Sequence, residues 1–375
     1  DVVALLERLC ALDVPIVAID APTGLDLGSG ANMGAHPVDR TVTFGGVRRG
    51  HLRARDLVGD LHVVEIGLPA ADPEWPVVFD LADARAAYRP FVVDDHKGTR
   101  GRVVIVGGRE GMTGAARLVA RAAFASGAGL VHVATDTASA IILAAAEPDV
   151  QVLCTRWDGA PDESLLELVR SADVVIVGPG LGREPGVRAL VEGVIAHAGR
   201  LVLDADGLQA FAGDATALAT MLVGIPTILT PHPGEFRALF PDIPLDDPWE
   251  AAHAAAMRMG QVVLLKGVPT VIASRGSTTL TVARGNPGLA TGGSGDVLSG
   301  IIGALWCRHD EAREAAALGA VAHGDAADRV ARLGGVVGMR PMDVVERLAA
   351  VWHELAQPDT EFRDLLLYLP RPVTQ

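Results

Sequence analysis

The stretch from Gly285 to Gly300 constrains this chain more than any other. It places six glycines in sixteen residues and runs directly into a helical pattern from Val297 to Ala304. A glycine-rich loop that enters a helix leaves the first backbone N–H groups without intrahelical partners. These groups lie at the positive end of the helix dipole, so the loop suits a phosphate or another developing anion. Asp296 stands inside this anion site. A carboxylate there repels phosphate and needs a reason to be present. The natural reason is to accept the proton of a hydroxyl that attacks a phosphoryl group. A surface turn capped by Asp296 is the plainer alternative, but a cap does not need glycines on both sides.

The chain from His96 onward predicts an α/β fold. Buried-type apolar runs alternate with helical patterns of about ten to fifteen residues, as in βαβ units around a parallel sheet. The stretches Arg102–Gly108, Leu130–Thr135, Val174–Gly182, Leu201–Leu208, Thr227–Phe236 and Val262–Gly267 read as strands that mostly run into polar or glycine turns. In open α/β sheets such turns share one crevice. Gly107, Gly108, Gly180, Gly182, Asp204, Asp206, His232, Lys266 and Asp296 are therefore expected to gather near one site. Lys266 at a strand end can neutralise a nucleotide phosphate; a solvated lysine is the alternative. His232, held between two prolines, reads as a ligand contact or as a loop histidine without a role. Asp204 reads equally as a helix cap or as a contact to substrate or Mg²⁺. His323, on an alanine-rich helix, reads as helix packing.

The first 69 residues differ. Three apolar runs, Val14–Asp20, Thr41–Phe44 and Leu61–Ile66, come with little helix and look like half of a doubly wound domain. Asp20 ends the first run and precedes a sharp turn, where capping that turn is its structural explanation. The chain starts at Asp1 within a helical pattern, which reads as the interior of a longer protein. Mixed, proline-containing sequence over 70–95 places the linker near 84–90. Residues 1–88 are thus expected as a partial domain with its linker, and 89–375 as the main domain. No expectation attaches to 357–375.

A formal charge of −14 argues against nucleic acid or an anionic membrane as partner. Cys10, Cys154 and Cys307 lie too far apart in sequence for a metal motif or disulfide framework, which fits a reducing cytoplasm. No signal peptide and no apolar run of about eighteen residues is present.

Together the motifs resemble the ADP-dependent NAD(P)H-hydrate dehydratases, which have a ribokinase-like three-layer α/β/α fold. The matching stretches are His96-Lys97-Gly98, Val103–Gly108, Met112–Ala115, Gly178–Gly182, Asp204–Leu208, Thr230–Phe236, Lys266-Gly267 and Gly285–Gly300. Ordinary sugar kinases share the glycine loop with Asp296 but not the run Pro231–Phe236. Residues 1–69 resemble the second half of the NAD(P)H-hydrate epimerase domain, a Rossmann-like α/β unit, through Ile19–Asp26 and Thr41–Leu52. Its first-half motifs do not occur here, so no epimerase activity is expected from this chain alone.

The resemblance implies dehydration of NADH or NADPH hydrate through phosphorylation by ADP or ATP with Mg²⁺. Asp296 would take the hydroxyl proton, and the three N–H groups from Gly293 to Gly295 would stabilise the transferred phosphoryl group. Lys266, Gly267, Val268, Pro269, Thr270 and Gly295 would hold the nucleotide. Ala115, Gly180, Gly182, His232 and Asp296 would touch the hydrated dinucleotide, with Asp20 a substrate contact in the partial domain. Thr23, where the family often has Ser, would mark a K⁺ site. A homo-oligomer is the expected assembly. The competing expectation is a small-molecule kinase of the hydroxyethylthiazole or hydroxymethylpyrimidine type. A non-catalytic dinucleotide-binding protein is the expectation of another class.

Overall fold

A computed structural model of the chain describes residues 2–12, 14–68, 72–157, 159–357 and 365–374. The strands are β1 (Val17–Ile19), β2 (Arg40–Phe44), β3 (Asp60–Val64), β4 (Val77–Val78), β5 (Arg102–Val106), β6 (Leu130–Thr135) and β7 (Gln151–Cys154). They continue as β8 (Val174–Val177), β9 (Leu201–Leu203), β10 (Thr227–Leu229), β11 (Val262–Leu265), β12 (Thr270–Ala273), β13 (Leu280–Val282) and β14 (Leu365–Leu369).

The larger sheet has ten strands in the order β4-β13-β12-β11-β10-β9-β8-β5-β6-β7. Every neighbouring pair from β7 to β11 is parallel, while β12 is antiparallel to β11 and to β13. Successive side chains of a strand point to opposite faces, and here both faces are covered. Val103, Ile105 and Ile176 pack with helices Thr113–Ala125, Ser294–Trp306, Ala312–Gly334 and Pro341–Leu355. Val104, Val106 and Val177 pack on the other side with Leu165, Leu190, Phe236 and Trp249. This is the expected three-layer α/β/α arrangement, and it explains why Val174–Val177 is apolar without alternation.

The helix Ser294–Trp306 lies against Thr113–Ala125 at close range. A Cβ at Gly300 would come within 2.3 Å of the Val119 carbonyl oxygen, so only glycine admits this approach. The packing fixes the glycine loop above the sheet.

The smaller sheet has the order β1-β2-β3-β14. β1, β2 and β3 are parallel, as expected of half a doubly wound unit, and β14 runs antiparallel to β3. The expected division at residue 88 does not follow the sheets. β4 pairs with β13, and the 84–90 linker begins within a helix, Leu81–Ala87, whose Ala84 is wholly buried in the larger core. The prolines at 73, 76 and 90 flank these elements instead of opening a linker. β14, placed by sequence in the main domain, belongs to the smaller sheet. Pro69, where the third apolar run was expected to close, lies outside the described residues. Leu52, Leu61 and Leu369 join the larger core, so the two sheets share apolar packing.

Candidate active site

A cavity of about 740 Å³ opens at the ends of β9, β10 and β11, beneath the glycine loop. Asp204, His232, Lys266 and Asp296 all line it, as expected, together with Gly267–Thr270 and Gly293–Gly295. The helix starts at Ser294 with Gly293 as its N-cap at φ 95°, in the left-handed region that favours glycine. A Cβ on Gly293 would also strike Leu118 at 2.5 Å. Gly293 and Gly295 N–H groups have no partner among the described residues, whereas Ser294 N donates to Thr291 O at 3.2 Å. Of the three N–H groups expected to face the phosphoryl group, the middle one is therefore already engaged.

Asp296 sits in the first helical turn. Burial pushes its carboxyl up to about 7, the Asp204 carboxylate adds to the rise, and the Lys266 ammonium offsets part of it. A carboxylate poised near neutrality is suited to general base work.

Lys266 Nζ donates to Asp204 Oδ1 at 2.8 Å and lies 3.7 Å from Glu235 Oε2. Ser299 Oγ donates to Asp204 Oδ2 at 2.6 Å. Burial alone would raise Asp204, but the Lys266 charge and these hydrogen bonds hold it below the usual carboxylate range. Burial would lower Lys266, and Asp204 with Glu235 reverses that, so the ammonium is kept charged. A Cβ at Gly295 would stand 3.2 Å from Lys266 Nζ, which places the ammonium against the helix start. Of the two readings of Asp204, the cap is not realised: it occupies an N-cap position, yet its side chain makes no cap bond and instead holds Lys266, a role the sequence did not suggest.

His232 does cap a helix. Its Nδ1 accepts from Gly234 N at 2.9 Å and Glu235 N at 3.2 Å, leaving the ring exposed at the cavity wall. Ala115, Gly180 and Gly182 form a neighbouring group outside the cavity lining. A Cβ on Gly180 would approach Ala115 Cβ to 2.9 Å, and Gly182 N donates to Asp206 Oδ2 at 2.9 Å. Asp206 also acts on Asp296 through its charge, which ties this group to the cavity. Gly108 N donates to Pro179 O at 2.9 Å, joining the turns after β5 and β8.

Asp20 and Thr23 are not brought to this cavity. Asp20 Oδ1 accepts from Thr43 Oγ1 at 2.7 Å, and its carbonyl meets His51 Nε2 at 2.8 Å. Thr23 is exposed.

Sequence reading missed several residues. Ser299 lies three residues after Asp296, on the same helix face, and that spacing was the available signal. Glu235 closes the proline-rich run and is buried beside Lys266; burial raises its carboxyl while Lys266 pulls it back. His323, expected as packing alone, lines the cavity, lies 3.3 Å from Ser294 Oγ through Nε2, and is lowered by burial to about 4, so it is neutral near pH 7. Leu52, Arg53, Arg55 and Asp56 of the smaller unit, with Pro372 and Thr374, also line the cavity, and no local pattern announced them. Among the described residues no helix is long and apolar enough to cross a membrane.

Residues 103–349 match the family model described as NAD(P)H-hydrate dehydratase. The bifunctional NAD(P)H-hydrate repair enzyme Nnr of Escherichia coli K12 is 36% identical over 356 residues, covering 92% of this chain and 67% of that enzyme. The Nnr enzyme of Coxiella burnetii is 36% identical, covering 89% of this chain and 68% of its own length. Among solved structures, an ADP/ATP-dependent NAD(P)H-hydrate dehydratase from Bacillus subtilis, co-crystallised with ATP/Mg²⁺, superposes with a TM-score of 0.64 at 25% identity. It covers 75% of this chain and 99% of its own. A ribokinase-like superfamily protein from Enterococcus faecalis gives 0.67 at 25% identity, covering 78% of this chain and all of its own. The chain belongs to the NAD(P)H-hydrate dehydratase family, enzymes of nicotinamide-nucleotide repair.

Proposed function

We propose that the cavity carries out dehydration of the S form of NADH or NADPH hydrate with ADP or ATP as phosphoryl donor. Water is a poor leaving group from C6 of the hydrated ring. Asp296 takes the proton of the C6 hydroxyl, and the oxygen attacks the terminal phosphorus of the nucleotide. The bond from that phosphorus to its bridging oxygen breaks, and ADP leaves as AMP. The ring-nitrogen lone pair then expels phosphate, a ring proton is lost, and the dihydronicotinamide is restored. The observation that carries this reading is Asp296 in the first turn of a glycine-started helix, its carboxyl raised to about 7.

The N–H groups of Gly293 and Gly295 act on the developing phosphoryl charge, in the manner of an oxyanion hole. Lys266, held by Asp204, supplies the fixed cation, and Gly267, Val268, Pro269 and Thr270 flank the nucleotide. His232, Ala115, Gly180 and Gly182 flank the hydrated dinucleotide. Among the described residues no group of three or more acidic, histidine or cysteine side chains could cage a metal. Magnesium suits this site as a nucleotide complex, since it keeps several waters and needs only one or two carboxylates; of the two buried carboxylates lining the cavity, Asp204 is held by Lys266 at 2.8 Å, which leaves Glu235. Mg²⁺ supplies charge neutralisation of the phosphates. The residues around Thr23 do not fit a closed K⁺ site, because Thr23 is exposed and Asp20 Oδ1 is already bonded, so no step runs through that ion. A homo-oligomer suits the exposed apolar strip of Val17 and Ile19 on β1.

Incubation with S-NADH hydrate and ADP tests the reading: NADH absorbance recovers with one phosphate and one AMP per NADH. Accumulation of a phosphorylated product that keeps its phosphate would instead establish a small-molecule kinase. Residues 1–69 are read as non-catalytic. Rapid repair of the pure R form, abolished by Asp20→Ala while repair of the S form persists, would show a working epimerase.

A further inference from the structure

Arg55 stands outside every role assigned above. It opens the short helix Arg55–Val58 of the smaller unit, is 4% exposed, and lines the cavity. Its Nη2 donates to the carbonyl oxygens of Leu369 at 3.1 Å and Pro370 at 2.7 Å. Its Nε and Nη1 are buried without a hydrogen-bond partner among the described residues. Burial pulls the guanidinium down to about 10, and nearby Asp60 and Asp328 recover part of the loss. Those acids are engaged elsewhere. Asp60 accepts from Arg371 N at 2.8 Å, and Asp328 accepts from Gly285 N at 3.2 Å and Asn286 Nδ2 at 3.0 Å. Asp80, which also acts on Arg55 through its charge, is paired with Arg284. A buried cation with unmet donors is costly unless something else meets them, and this one sits on a cavity wall.

We propose that Arg55 binds the nucleotide: it donates to a phosphate oxygen of the adenine nucleotide in the cavity, so the smaller unit completes the dehydratase site. The inference rests on the reading that ADP occupies this cavity. The nucleotide is favoured over the hydrated dinucleotide because every residue assigned to the nucleotide, Lys266–Thr270 and Gly295, shares the cavity with Arg55, whereas of those assigned to the dinucleotide only His232 and Asp296 do. Ala115, Gly180 and Gly182 lie outside that lining. An anionic oxygen is favoured because a desolvated guanidinium bonds most strongly to phosphate or carboxylate.

The test is calorimetric titration of the full chain with ADP and with adenosine, for the unaltered protein and Arg55→Met. The expected result is ADP affinity weakened about tenfold or more, the scale of a hydrogen bond to a charged group, with adenosine affinity within about twofold. Equal ADP affinity in both proteins, or an equal loss for adenosine, would overturn the inference. Because Arg55 also holds two carbonyls, a second measurement uses the unaltered chain. The Arg55 Nε–H resonance, assigned by its loss in Arg55→Lys, is expected to shift with ADP and not with adenosine; a resonance unmoved by ADP counts against the proposal. If the unaltered chain binds no ADP, the nucleotide reading of the cavity falls with it. If ADP binds regardless of Arg55, only this inference falls.

Discussion

Two strands show how differently this molecule treats its two sheets. In β8, Val174–Val177 is fully buried, covered by helices on both faces. In β1, Val17 is 53% and Ile19 is 68% exposed, and β2 is its one neighbour among the described residues. Both runs are apolar and both lead to polar or glycine turns, so in the sequence they look alike. The difference lies in the covering layers. The larger sheet can bury Asp204 and Asp296 at its turns and set their chemistry by desolvation and neighbouring charge. The smaller sheet holds Asp20 in a half-exposed turn bonded to Thr43. Its clearest contribution to the cavity is a wall, through Leu52, Arg53, Arg55 and Asp56.

The largest expected effect comes from breaking the buried ion pair. Lys266→Ala leaves Asp204, 1% exposed, without its cation. A stability loss of about 3–5 kcal/mol is expected, the usual cost of stranding one partner of a buried pair. Denaturant unfolding measures it, and the ADP KM of the folded fraction should rise. A loss under about 1 kcal/mol would mean that solvent reaches Asp204 freely.

Asp296→Asn keeps shape and removes the base. Turnover should fall by roughly a hundredfold or more, about 2.7 kcal/mol in barrier, with the fold intact by circular dichroism. Near-normal turnover would remove Asp296 from the proton path.

The pH profile sharpens the same point. Asp296 must be ionised to accept a proton, and its carboxyl is raised to about 7. As pH falls below that value, kcat/KM should drop about tenfold per unit, and it should level off above it. His323, lowered to about 4, contributes no limb in this range. A profile flat from pH 5 to 8 would contradict the assignment.

The smallest effect belongs to the other sheet. Ile19→Ala should change stability by less than about 0.5 kcal/mol, as at ordinary surface positions. Ile176→Ala, at a fully buried position of the larger sheet, should cost about 2–5 kcal/mol. Comparable losses at the two sites would mean that β1 is covered in solution, for instance by another copy of the chain.

The sequence by itself determined the larger sheet, its layer order and the glycine loop that lines the cavity. Unbroken apolar runs require burial on both faces, and six glycines leading into a helix leave few uses other than anion binding. It also placed Asp204, His232, Lys266 and Asp296 at one crevice, because turns at strand ends converge in this class of sheet. Tertiary structure decided what local patterns do not encode. The pairing of β14 with β3 spans about 300 residues of chain, and β4 joins the larger sheet although prolines flank it. Asp204 became an anchor for Lys266 instead of a cap, because Ser299 and Lys266 reach it from other elements. Arg55 and its neighbours entered the cavity for the same reason: a wall built by residues remote in sequence has no period, spacing or motif to reveal it.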